Sequence, residues 1–125
     1  MSLSTVCPFC NSEAEKIIES NLSFAIYDRF PVNPGHALII PKRHTANYFE
    51  LSSEEQADCF ALLNQVKSIL EEKYHPDGYN IGINVNESAG QTIHHVHIHL
   101  IPRYVGDVEE PRGGVRGVIP HKRDY

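Results

Sequence analysis

Polar and apolar positions alternate along this chain with two different periods, and each period predicts an element. Residues 95–101 read His-Val-His-Ile-His-Leu-Ile. Strict alternation is the period of a strand, whose successive side chains point to opposite faces. It predicts that His95, His97 and His99 line one face while Val96, Ile98 and Leu100 fill the core on the other. His94 breaks the alternation and is expected just before the strand or facing away. Upstream, Ser23-Phe24-Ala25-Ile26-Tyr27 is β-prone, and Pro31-Val32-Asn33-Pro34-Gly35 reads as a turn. His36 to Ile40 then reads as a mostly buried strand stopped by Pro41, making a hairpin with a longer loop. Tyr79 to Val85 predict a further strand, and Asn86 to Thr92 a polar loop.

A second period runs through the middle of the chain. Ala57, Phe60, Leu63, Val66 and Leu70 recur at helical spacing, which predicts a plain amphipathic core helix to about Tyr74. Ser52 can cap its free amides, and Glu55 can complete a capping box. His75-Pro76-Asp77-Gly78 ends it. Cys59 falls inside the pattern as a small core residue. A short helix is expected near Asn11 to Ser20. One helix over several antiparallel strands is an α+β domain, with the sheet burying one face under the helix and the histidine row open on the other.

Length and composition narrow the function classes. At 125 residues the chain fits a single domain, residues 1–125, with its core over about 5–104 and an extension over 105–125. That extension is rich in Gly, Pro and charge, and is expected to be disordered or pinned on a partner. A net charge of −5 offers no basic surface for a nucleic-acid polymer, yet allows a local pocket for a phosphorylated ligand. No apolar run approaches the roughly 20 residues that span a membrane. Met1 to Thr5 lack a charged-then-apolar leader pattern, so a cytoplasmic location is expected. Three cysteines in a reducing compartment argue against a disulfide framework.

Candidate chemistry lies in the histidines and cysteines. Imidazole can be a nucleophile, a proton carrier or a metal ligand near neutral pH. The bland alternative is a partly exposed strand face carrying polar histidines. Cys7-Pro8-Phe9-Cys10 is a CxxC pair, which alone is a redox pair, a metal half-site or chance.

The run from Gly90-Gln91-Thr92-Ile93-His94-His95 through His99-Leu100-Ile101-Pro102-Arg103 resembles the signature of the histidine triad (HIT) superfamily. Cys7-Pro8-Phe9-Cys10 is similar to the family's opening, and Asn33 through His44 to its central hairpin. The resemblance covers almost the whole chain. It implies an antiparallel sheet of about five strands with one long and one short helix, forming a homodimer whose sheet continues across a two-fold axis. It implies nucleotidyl hydrolysis or transfer at an α-phosphate, with His97 attacking phosphorus and forming a nucleotidyl-histidine. His99 would serve the phosphate and leaving group, and His36 would support the site from the hairpin. Asp28 would hold the ribose hydroxyls, Ile26 and Leu38 would form the base slot, and Asn84, Gln91 and Thr92 would contact phosphate or ribose. No organic cofactor is implied.

The resemblance also supports a structural zinc ion on Cys7, Cys10, His44 and His95, a closed Cys2His2 set. Ile101-Pro102-Arg103 leans toward the dinucleoside polyphosphate hydrolase branch, with diadenosine tetraphosphate as a model substrate, and Arg103 could add charge for a polyphosphate. The alternatives are a purine nucleoside phosphoramidase, a phosphorylase, a nucleotide-binding module that does not turn over, and a purely structural zinc domain.

Overall fold

A computed structural model describes residues 7–125. The leader reading of Met1 to Thr5 and the start of the core at residue 5 lie outside the described residues. Strands β1 (Ile18–Glu19), β2 (Ser23–Tyr27), β3 (Ala37–Pro41), β4 (Gly78–Ile83) and β5 (Ile98–Arg103) form one sheet in the order β1-β2-β3-β5-β4. Every pairing is antiparallel. Helix α1 (Ser53–Tyr74) crosses one face.

The helix starts where the sequence says it must. The Ser52 hydroxyl accepts the Glu55 N–H at 3.1 Å, and the Glu55 carboxylate accepts the Ser52 N–H at 2.8 Å. Arg43 clamps the same carboxylate at 2.8 and 2.9 Å, which with the cap holds Glu55 at a pKa of about 2. At the far end His75 takes a left-handed conformation, φ 52°, and its N–H bonds the Glu71 carbonyl. The buried stripe is Cys59, Leu62, Leu63, Val66 and Leu70. Ala57 and Phe60, expected in it, point outward, because the sheet meets the helix about half a turn away from them.

The sheet has two apolar faces. Ala25, Ala37, Ile39, Ile98 and Leu100 pack under the helix, where hydrophobic burial supplies most of the stability. Phe24, Ile26, Leu38 and Ile40 face the other way and pack with Cys7 and Phe9. The β2–β3 loop turns at Gly35, φ 89°, where a Cβ would stand 3.0 Å from the Tyr74 ring.

Three expectations change. Strand β5 opens at Ile98, not at His95. The Val96 N–H bonds the Thr45 carbonyl at 2.8 Å instead of a ladder partner. His95 is therefore fully buried against the end of the hairpin instead of lining an open face. Residues 11–20 carry no helix, only irregular backbone leading into β1. The C-terminal extension forms two ordered 3-10 turns, Gly114–Val118 and Pro120–Lys122. No helix among the described residues is long and apolar enough to cross a membrane.

Candidate active site and metal centre

Hydrogen-bond partners decide which nitrogen of each histidine carries its proton. The His95 carbonyl lies 2.8 Å from His97 Nδ1. A carbonyl only accepts, so Nδ1 holds the proton and Nε2 keeps a bare lone pair. At His36, Nδ1 accepts the Val32 N–H at 3.0 Å, which puts the proton on Nε2. That N–H faces His99 Nδ1 at 3.0 Å. His99 therefore accepts on Nδ1 and carries its own proton on Nε2. The rings of His97 and His99 are 5.1 Å apart. A bare nitrogen on one histidine thus stands beside an N–H on the next, which suits a nucleophile and a hydrogen-bond donor to the leaving oxygen.

Burial disfavours the charged form of His36 and His99. It pushes His36 below its usual value. Burial, with the neighbouring His97 and His36 rings, pushes His99 down to about 4. Asp28 Oδ2 lies 3.5 Å from His36 Nε2, and Oδ1 accepts the Phe30 N–H. His97 and His99 open into a cleft of about 940 Å³ whose walls include Ile26, Leu38, Asp28, Asn84 and Thr92.

A second cluster adjoins the first. One donor atom from each of Cys7, Cys10, His44 and His95 lies within 4.8 Å of all the others. His95 Nδ1 is 3.4 Å from Cys7 Sγ, 3.5 Å from Cys10 Sγ and 3.2 Å from His44 Nδ1. Cys10 Sγ is 3.2 Å from His44 Nδ1. Zinc bonds of about 2.0–2.3 Å in a tetrahedron space their ligands by roughly 3.3–3.8 Å. His95 donates its Nε2–H to the Pro41 carbonyl at 2.8 Å, leaving Nδ1 free to ligate. The donor set fits zinc, and four protein ligands would close the site, giving a structural role.

Residues 10–106 match the HIT domain family model. The chain belongs to the HIT family. It is 38% identical over 102 residues to a bis(5'-adenosyl)-triphosphatase of Dictyostelium discoideum, covering 82% of this chain and 68% of the relative. It is also 38% identical over 102 residues to an adenosine 5'-monophosphoramidase of Schizosaccharomyces pombe, covering 78% and 74%. The crystal structure of a zinc-bound histidine triad family protein from Mycobacterium smegmatis superposes with a TM-score of 0.77 at 34% identity, covering 86% of this chain and 81% of that one.

Three placements in this HIT domain differ from what the residue order suggests. Gln91 does not line the cleft. It is buried, accepts the Asn86 N–H at 2.8 Å and donates to the Ala46 and Ile93 carbonyls, so it braces the loop that presents Thr92. Arg103 is occupied by Asp107 and Asn80 at 2.7–2.8 Å and is absent from the cleft wall. Phe9 was missed by sequence reasoning. Its ring lies 5.0 Å from that of His97 and forms part of the cleft. The available signal was its place between two candidate metal ligands, which fixes where the loop must go.

Proposed function

We propose that this HIT domain cleaves nucleotide derivatives at the α-phosphate, with a dinucleoside polyphosphate as the favoured substrate. The observation that carries the reading is the relay from Val32 through His36 to His99 beside the bare Nε2 of His97. His97 Nε2 forms a bond to phosphorus as the phosphorus–oxygen bond to the leaving group breaks. The His99 Nε2–H donates a hydrogen bond to that oxygen as negative charge builds on it, and the leaving group departs as its anion. Water then attacks the phosphorus as the bond to His97 Nε2 breaks, its proton passes to solvent, and a nucleoside monophosphate is released. Asp28 accepts the ribose hydroxyls, Ile26 and Leu38 hold the base, and Asn84 and Thr92 bond phosphate or ribose.

Zinc on Cys7, Cys10, His44 and His95 would tie the N-terminal loop to the hairpin and to His95, whose carbonyl orients His97. The functional unit in this reading is a homodimer. Among the described residues strand β4 ends the sheet with one side unpaired, which leaves room for the same strand of a second copy. The phosphoramidase reading remains the second choice, since a relative with that name is as similar as the triphosphatase. A binding module without turnover does not need the ordered proton relay.

A panel of diadenosine polyphosphates against adenosine phosphoramidate, with acid-quench trapping of labelled protein, tests the proposal. His97→Ala should lose at least about a thousandfold in rate and all trapped label. Equal rates for the variant would overturn the assignment of His97. Faster turnover of phosphoramidate would move the protein to the other branch.

A further inference from the structure

The stretch from Cys7 to Lys16 is both metal site and cleft wall. Pro8, Phe9 and residues 11–14 line the cleft. The Phe9 ring lies 5.0 Å from the His97 ring and meets the His95 ring edge-on at 5.9 Å. Cys7 and Phe9 pack with Ile26 and Leu38 in one apolar cluster, so a metal ligand shares its packing with the base slot. Several hydrogen bonds of the stretch turn back on itself. The Cys10 N–H bonds Cys7 Sγ at 3.5 Å, the Asn11 N–H bonds the Cys7 carbonyl at 3.2 Å, and the Ala14 N–H bonds the Ser12 hydroxyl at 3.2 Å. Among the described residues, its first backbone bond to the sheet comes just after it, from the Ile17 N–H to the Ala25 carbonyl at 2.7 Å. Sulfur bridges the gap: Cys7 Sγ faces His95, and Cys10 Sγ faces His44 and His95.

The two sulfurs differ in access. Cys10 is exposed, whereas Cys7 is buried with its sulfur within 4.8 Å of Cys10 Sγ. Zinc ligation removes the thiol protons and leaves two neighbouring thiolates. An exposed thiolate with a second thiolate beside it is the arrangement that a peroxide oxidises to a disulfide. Cys59, the third cysteine, is buried under α1, and burial pushes its thiol up to about 11, so it takes no part.

We propose, on the zinc and α-phosphate readings above, that Cys7 and Cys10 form a peroxide-sensitive modification site whose oxidation releases the cleft wall and stops turnover. Cys10 Sγ attacks one oxygen of hydrogen peroxide, the O–O bond breaks, and hydroxide leaves a sulfenic acid behind. Cys7 Sγ then attacks Cys10 Sγ; the S–S bond forms, the S–O bond breaks, and a second hydroxide departs. Two thiolates are oxidised by two electrons, and one peroxide is reduced to two hydroxides. His44 and His95 remain, too few donors to retain the ion. The disulfide keeps the turn closed but joins it to neither histidine, so Phe9 is no longer held against His97.

The test treats zinc-loaded, full-length protein with hydrogen peroxide. A metal-indicator dye should report release of the bound zinc, and peptide mapping should show a Cys7–Cys10 disulfide with Cys59 still a thiol. Trypsin should cut after Lys16 at least about tenfold faster, because the stretch before it has lost its tether. Turnover of diadenosine tetraphosphate should fall at least about tenfold, and dithiothreitol with added zinc should restore it. Cys10→His keeps four zinc ligands but no thiol pair, and should hold its metal under the same treatment. Cysteines that stay reduced, zinc released without that disulfide or equally from Cys10→His, or an unchanged rate of cutting after Lys16 would overturn the proposal, as would a disulfide formed with turnover intact. Zinc content is measured first, and protein that takes up none overturns the zinc reading and the proposal with it. If zinc-loaded, reduced protein turns over no substrate, the α-phosphate reading fails, and the dye, the peptide map and the trypsin rate still decide the site.

Discussion

Replacing His99 with Asn should flatten the acid limb of the stability curve. His99 has a folded pKa of about 4, against 6.5 for the free side chain. Between those values the unfolded chain binds the proton and the folded chain does not, so protonation favours unfolding. The penalty is absent well above pH 6.5 and complete below pH 4. Linkage gives about 2 kcal/mol lost on going from about pH 8 to about pH 5, and about 3 kcal/mol at the limit. The side chain is 22% exposed, so solvent screening is limited. Asn Oδ1 stands where His99 Nδ1 stands and can still accept the His36 N–H, so the relay stays satisfied. Urea unfolding of both proteins at the two pH values measures the difference. Wild type should lose about 2 kcal/mol more than the variant, because every other titrating group is common to both proteins. Equal losses would refute both the burial of His99 and the neutral state assigned to it.

Two further outcomes follow from the placements. Purified protein never exposed to chelator should hold one zinc per chain, and stripping it should lower Tm by roughly 10 °C or more, since the ion joins three separate segments; substoichiometric zinc, with no other metal present, would sink the site. Gln91→Ala should destabilise the fold by about 1–3 kcal/mol, because it strands the Asn86 N–H and two carbonyls; a fall in kcat/KM with unchanged Tm would instead make Gln91 a substrate contact.

Much of the fold was legible in the residues. The Ser52–Glu55 pair marks the helix start because both capping partners lie within one turn. The β2–β3 hairpin shows itself by its flanking apolar runs and its Pro-Gly turn. The helix at 11–20 failed because no apolar stripe backs it, and the segment is instead tied by one strand bridge and its loop bonds. The helix stripe came out rotated because Cys59 and Leu62 compete with Ala57 and Phe60 for the sheet, and only the crossing geometry of α1 decides between them.

The sequence by itself determined the family, the α+β class and the set of chemical groups, because these depend on local periods and on motif order along the chain. Tertiary structure alone decided what each histidine does. His95 leaves the strand because Val96 bonds Thr45, and it turns its free nitrogen toward Cys7, Cys10 and His44. His97 has a bare nitrogen because its Nδ1–H donates to the His95 carbonyl, and His99 has a donor because His36, 63 positions away, fills its other nitrogen. A proton's place on an imidazole is set by the partner across the ring, and for His95 and His99 that partner comes from another part of the chain.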